Sequence, residues 1–262
     1  MVGKTKALVL NGYGINCPVE TAYAIKTVGG SADIMHVSEL LHKPKMLENY
    51  NFLVLPGGFS FGDDIASGKV LANRIRYKAG KELLDFISRG KLILGICNGF
   101  QALVKMGLLP EPDFEQRVTL TYNESGKFED RWARLEGNPK SPCIFTRGVA
   151  SIPLPVRHGE GRFIPANGEV LDSIVKDELI ALKYSGPSAE GGSGVAYPWN
   201  PNGSIMDIAG ICDKSGQVFG LMPHPEAYNH RTNSPCWANG VGSEGHGLAL
   251  FRNAVEYLEK EW

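Results

Sequence analysis

The apolar run Lys91-Leu92-Ile93-Leu94-Gly95-Ile96 passes with no loop into Cys97-Asn98-Gly99-Phe100-Gln101 and the helical pattern of Leu103 and Val104. A strand that turns directly into a helix forces its middle residue into a strained conformation. The two backbones then approach so closely that the residues two positions either side must lack a side chain. Gly95 and Gly99 stand at those positions, with Cys97 between them, in the cysteine form of a nucleophile elbow. The elbow needs a sheet to end and a helix to begin at one point. It therefore predicts a layered α/β fold with Cys97 at the strand-end edge of the sheet. A thiol placed at a helix N-terminus meets free N–H groups and the positive end of the dipole, which favour the thiolate. The Asn98 N–H points at the place where an oxyanion would form. The bland alternative is a buried cysteine packed between two structural glycines.

The rest of the chain repeats the alternation. Lys6–Leu10 reads as a buried strand, Val19–Val28 as a helix, Ala32–His36 as a strand, and Phe52–Leu55 as a strand cut off by Pro56-Gly57-Gly58. A helix is predicted over Ala79–Ser88. Strand, loop, helix, strand in this order gives a parallel sheet. From about Arg117 to Gly220 short β-rich runs take over, including Cys143–Phe145, Ser151–Val156 and Ile180–Tyr184. Val218–Met222 is a last central strand, and residues 246–260 close the chain as a helix. The expected fold is a three-layer α/β domain spanning residues 1–262. It has a mostly parallel central sheet, helices on both faces and a small antiparallel or mixed extension.

Bulk properties narrow the function classes. A formal net charge of −1 over 262 residues supplies no electrostatic reason for nucleic acid or an anionic membrane. No apolar run has the length of a membrane span, and the first residues enter a strand-like stretch rather than a signal peptide. Five scattered cysteines without a CxxC pair argue against a disulfide framework or a zinc knuckle, and they suit a reducing cytoplasm. The six histidines show no metal-ligand spacing, so no metal is expected. Cys143 and Cys212 read as core residues. Cys17 and Cys236 lie in loops without an evident activating neighbour.

A thiolate nucleophile needs an imidazole, and the imidazole needs an orienting partner. Met222-Pro223-His224-Pro225-Glu226 follows the last predicted central strand, at the sheet edge where α/β sites form. Its prolines favour an extended path in which residues i and i+2 share a face, placing Glu226 beside the His224 ring. Pro56-Gly57-Gly58 follows another strand on the same edge and can turn an N–H inward as a second oxyanion donor. His36, His42, His230 and His246 read as surface or loop residues. His158, in Arg157-His158-Gly159-Glu160-Gly161-Arg162-Phe163, reads as part of a binding loop rather than a second base.

Strand-PGG, strand-GxCxGxQ and a distal HPE, in that order, resemble the class I, triad-type glutamine amidotransferases along nearly the whole chain. The elbow Cys97-Asn98-Gly99-Phe100-Gln101, with Gly57–Asp63, His158–Phe163, Asn200–Ser204 and Gly220–Glu226, is similar to the glutaminase components of phosphoribosylformylglycinamidine synthases. The resemblance implies that Cys97 attacks the glutamine amide, His224 moves protons and Glu226 orients it. Gly58 and Asn98 would donate to the oxyanion. Gly57, Gln101, His158 and Gly159 would hold glutamine. It implies no cofactor in this chain. ATP and Mg²⁺ would serve a large synthase subunit that receives the ammonia, with a small third subunit left open. Asn123–Trp132 looks more like the fused long-chain enzymes, and Ala227–His246 is a long polar connection; either suits a docking surface. Three other readings compete: an amidotransferase feeding a different synthase, a cysteine hydrolase with a similar elbow, and a non-catalytic module on the same fold.

Overall fold

The computed structural model describes residues 4–189, 194–239 and 244–261. Four apolar segments become the centre of a sheet because each is short, β-prone and flanked by a chain breaker: β1 (Lys6–Asn11), β3 (Phe52–Leu55), β4 (Leu92–Ile96) and β11 (Val218–Leu221). Every residue of β3, β4 and β11 is buried, as expected of parallel strands covered on both faces. β2 (Ser31–His36) pairs outside β1, giving the parallel order β2-β1-β3-β4-β11.

The same sheet continues antiparallel through β10 (Ile208–Cys212), β9 (Ile180–Tyr184), β6 (Glu129–Gly137) and β7 (Ser151–His158). β5 (Val118–Thr121) and β8 (Arg162–Pro165) form a separate antiparallel pair. Helices α1 (Pro18–Thr27) and α6 (Leu248–Glu261) pack together, as do α2 (Val37–His42), α3 (Lys69–Ser88) and α4 (Asn98–Met106). α5 (Gly168–Lys176) lies beside β8 and is opened by Asn167, whose side chain accepts from the Val170 N–H.

Two expectations are corrected. α3 begins ten residues before the predicted Ala79, because Leu71 and Ile75 extend its buried stripe. Its N-cap is Gly68 in a left-handed conformation, which carries no capping side chain to mark the start. Cys143–Phe145 is not a strand. Ile144–Thr146 form one 3₁₀ turn, held against α6 by Asn253 Nδ2 donating to the Phe145 carbonyl at 2.8 Å. The Gly/Ser-rich Tyr184–Gly194 stretch and the Ala227–His246 connection each fall partly outside the described residues. Among the described residues, no helix is long and apolar enough to cross a membrane.

Because β1, β3, β4 and β11 are parallel, the chain leaves all four at one edge. The segments that follow them are Gly12–Cys17, Pro56–Gly58, Cys97 and Met222–Glu226.

Candidate active site

The elbow carries the strain its sequence demands. Cys97 sits at φ 50°, ψ −103°, between the last residue of β4 and the first of α4. A Cβ on Gly99 would fall 1.8 Å from the Leu55 carbonyl oxygen, and one on Gly95 would fall 2.8 Å from the Gly99 backbone. The turn is pinned by the Cys97 N–H donating to the Leu221 carbonyl at 2.8 Å, which ties Cys97 to the end of β11. The buried Cys97 sulfur lies 3.7 Å from the Arg157 carbonyl of β7.

The histidine segment leaves β11 and is fixed from the antiparallel side by the His224 N–H donating to the Pro155 carbonyl at 2.8 Å. Pro225–Ala227 form a 3₁₀ turn rather than the extended path expected. The turn still brings the carboxylate to the ring, with His224 Nδ1 and Glu226 Oε1 2.6 Å apart and both residues buried. Burial opposes a charge on His224. The Glu226 carboxylate and then the Cys97 sulfur outweigh it and hold the imidazole well above its usual pKa. Among the described residues, His224 Nε2 and Glu226 Oε2 are buried without a hydrogen-bond partner.

The Pro-Gly-Gly turn is clasped from the end of β1. The N–H groups of Asn16 and Cys17 both donate to the Gly57 carbonyl, and the Phe59 N–H donates to the Gly14 carbonyl. These bonds flank Gly58 and leave its own N–H out. A Cβ on Gly57 would fall 2.6 Å from His224 Cε1. Glycine is required there because the imidazole lies directly on the turn.

The remaining predicted residues are struts. The Asn98 side chain accepts from the Ser60 N–H at 3.1 Å and donates to Asp63 Oδ1 and Gln101 Oε1, at 3.2 and 2.9 Å. Gln101 Nε2 donates to the Glu160 carbonyl at 2.6 Å. His158 is buried, with Nδ1 3.1 Å from Asn123 Oδ1 and Nε2 3.5 Å from Asn202 Nδ2. The Gly159 carbonyl accepts from the Asn123 N–H at 2.9 Å. Burial, reinforced by the charge on His224, pushes the His158 pKa down to about 3. A ring that is neutral and engaged on both nitrogens positions the 158–161 loop.

A model of the CobB/CobQ-like glutamine amidotransferase domain matches residues 4–258. The phosphoribosylformylglycinamidine synthase subunit PurQ of Dehalococcoides mccartyi is 45% identical, over 99% of this chain and 100% of its own. The PurQ subunit of Methanococcus maripaludis is 41% identical, over 97% of this chain and 98% of its own. The chain belongs to the PurQ family of glutamine amidotransferases. A chain in the structure of PurLQS from Thermotoga maritima superposes with a TM-score of 0.70 at 31% identity. That match covers 97% of this chain and 99% of the other.

Within this PurQ-family site, sequence reasoning missed three features. Cys17 has a neighbour after all: its sulfur lies against His224 and Glu226, with donor atoms of all three residues within 4.8 Å of one another. The logic that located His224 also applies here, since Cys17 follows β1 at the same sheet edge. Lys105, buried on α4, donates to the Ser67 carbonyl and lies 3.9 Å from Glu160 Oε2. Asp63, beside them, is raised in pKa by burial and by the Glu160 charge. These groups stitch the segment after β3 to the elbow helix across distant parts of the sequence, and no local pattern marks them.

Proposed function

We propose that this chain is the glutaminase subunit of a phosphoribosylformylglycinamidine synthase and that Cys97, His224 and Glu226 carry out the hydrolysis. The observation that carries the reading is the 2.6 Å His224–Glu226 pair set beside a strained cysteine elbow in a PurQ-family chain. With the Cys97 proton taken up by His224, the sulfur attacks the side-chain carbonyl carbon of glutamine, forming a C–S bond and a tetrahedral oxyanion. The N–H groups of Gly58 and Asn98 receive that charge. Each such donor is worth about 10²–10³ in rate. The His224 imidazolium gives its proton to the amide nitrogen, the C–N bond breaks, and ammonia leaves a γ-glutamyl thioester on Cys97. Water then attacks the thioester, His224 takes its proton, and glutamate departs as the C–S bond breaks. Glu226 holds the ring in one orientation and stabilises its charge throughout.

Gln101, His158 and Gly159 shape the glutamine pocket by fixing the 158–161 loop against the elbow helix. Gly57 admits the imidazole. Thiol, imidazole, two N–H groups and water account for every bond change, so this chain uses no cofactor. ATP and Mg²⁺ belong to the large PurL-type synthase subunit. That subunit uses the ammonia to convert formylglycinamide ribonucleotide to formylglycinamidine ribonucleotide, and a small PurS-type third subunit completes the assembly. Cytoplasmic residence follows from that role in purine biosynthesis. The exposed rings of Phe59 and Phe128, 6.2 Å apart beside the oxyanion and 158–161 loops, suit a docking rim.

Reconstitution tests the reading. The chain and its synthase, given glutamine labelled with heavy nitrogen in the side-chain amide, should place the label in formylglycinamidine ribonucleotide. Peptide cleavage without glutamine hydrolysis would replace this reading with that of a cysteine hydrolase.

A further inference from the structure

Cys17 has no part in the hydrolysis, yet it lies in the middle of the machinery. Its N–H is bonded to the Gly57 carbonyl, and its thiol donates to Asn16 Oδ1, at 3.1 Å. A thiol sulfur, an imidazole nitrogen and a carboxylate oxygen, all buried, lie within 4.8 Å of one another at Cys17, His224 and Glu226. We propose that these three residues form a binding site for a soft divalent cation of the zinc class, and that filling the site switches the glutaminase off. This rests on the reading of His224 as the catalytic base.

The donor chemistry selects the ion. Sulfur and nitrogen ligands suit Zn²⁺ and its neighbours, whereas Mg²⁺ demands an oxygen shell and keeps its waters. The site can therefore ignore the Mg²⁺ that serves ATP chemistry. Metal–ligand bonds of about 2.0–2.3 Å in a tetrahedron place ligand atoms roughly 3.3–3.8 Å apart, so shifts of about an ångström close the site. One ligand-capable atom is already unsatisfied: Glu226 Oε2 is buried without a partner among the described residues. A buried acceptor without a partner is uncommon in folded proteins, and a cation would satisfy it.

The consequence for catalysis is direct. An imidazole nitrogen that binds a metal has no lone pair for a proton. Coordination through Nδ1 displaces Glu226, and coordination through Nε2 blocks the face toward Cys97. Either way Cys97 loses its base. Proton balance is simple: the Cys17 thiol releases one proton as its sulfur binds the metal, and a protonated His224 releases a second.

Cobalt(II) is the probe, because a thiolate bound to it gives a charge-transfer absorption that Zn²⁺ lacks. The full chain carries a Cys236→Ser substitution, which removes its exposed thiol. One cobalt per chain should produce the band. The band should survive Cys97→Ala, vanish in Cys17→Ala, and weaken when Glu226→Gln is added to Cys97→Ala. In parallel, Zn²⁺ should inhibit glutamine-dependent ammonia release with the synthase present and Mg²⁺ constant. Half-inhibition should need at least roughly tenfold more Zn²⁺ in Cys17→Ser, each variant being scaled to its own uninhibited rate, since losing a ligand costs no less than losing an outer-shell partner. Thermal melts of the Cys17 variants separate a lost site from a lost fold. A band that follows Cys97 rather than Cys17, no band at all, or Zn²⁺ inhibition indifferent to Cys17 would overturn the site. Failure of the catalytic reading shows separately, as a Cys97→Ala chain that still releases ammonia.

Discussion

His158-Gly159-Glu160 and His224-Pro225-Glu226 share a spacing, and both histidines are buried, at 2% and 3% exposure. They end in opposite states. At His224 the proline-led 3₁₀ turn swings Glu226 onto the ring, and the imidazole is held well above its usual pKa despite burial. At His158 the glutamate turns away toward Lys105 and the Ser67 N–H, leaving the ring to Asn123 and Asn202. Burial then prevails, and the pKa falls to about 3. Amide partners satisfy a neutral imidazole; only a carboxylate at bonding distance makes a buried one basic enough to serve. An H-x-E motif is thus ambiguous until the path of its middle residue is known.

Substitutions can break this contrast at several points. His224→Ala should lower glutaminase kcat by about 10⁴–10⁶, as loss of a base in a triad does, with little change in the fold by circular dichroism. Glu226→Gln should cost about 10²–10⁴ in kcat, because the ring keeps a neighbour but loses the charge that favours its protonated form. Pro225→Gly frees the turn that aims Glu226. A fall of roughly tenfold in kcat is expected, the equivalent of about 1.4 kcal/mol of lost positioning, measured as steady-state ammonia release.

The smallest effect on rate falls at the other histidine. His158→Gln should leave kcat within a few-fold and raise the KM for glutamine, and its clearest signature is in stability against pH. A histidine whose folded pKa is depressed lets the unfolded chain bind the extra proton. Stability therefore falls as pH drops from about 6.5 toward 3, by up to about 1.4 kcal/mol per pH unit. Chemical denaturation across that range should show the acid limb shrinking in His158→Gln. His224 has the opposite sign. Its raised folded pKa contributes stability that is fully present below the ordinary imidazole pKa and is lost as pH rises through the folded value. Glu226→Gln should remove that alkaline-side loss and leave the burial-driven, larger part of the His158 limb in place.

The parts of this molecule legible in sequence are those set by short-range rules. β3 and the elbow could be placed because an apolar run met Pro-Gly-Gly in one case and a glycine-flanked cysteine in the other, and local sterics left few alternatives. The first half of α3 was hidden because its N-cap is a left-handed glycine, and because Arg74, Arg76 and Lys78 mask the apolar stripe. Cys143–Phe145 looked like a strand because three buried apolar residues carry no period of their own. Asn98, Gln101 and Lys105 lie on one short helix, yet their partners Ser60, Asp63, Ser67 and Glu160 come from two other loops. Such pairings depend on topology, which brings together residues far apart in the chain. The sequence places Glu226 beside His224 by an extended path, whereas a 3₁₀ turn delivers it.

Everything proposed for the charged histidine presupposes a glutamyl group on Cys97. Acid-quenching the complete synthase complex during turnover of radiolabelled glutamine, followed by peptide mapping, looks for that thioester directly. The account predicts label on the peptide containing Cys97, absent in Cys97→Ala and held at a steady level of at most one per chain while the wild-type complex turns over. Ammonia release that persists in Cys97→Ala, or label on a peptide carrying Cys17 and none on that of Cys97, would contradict it.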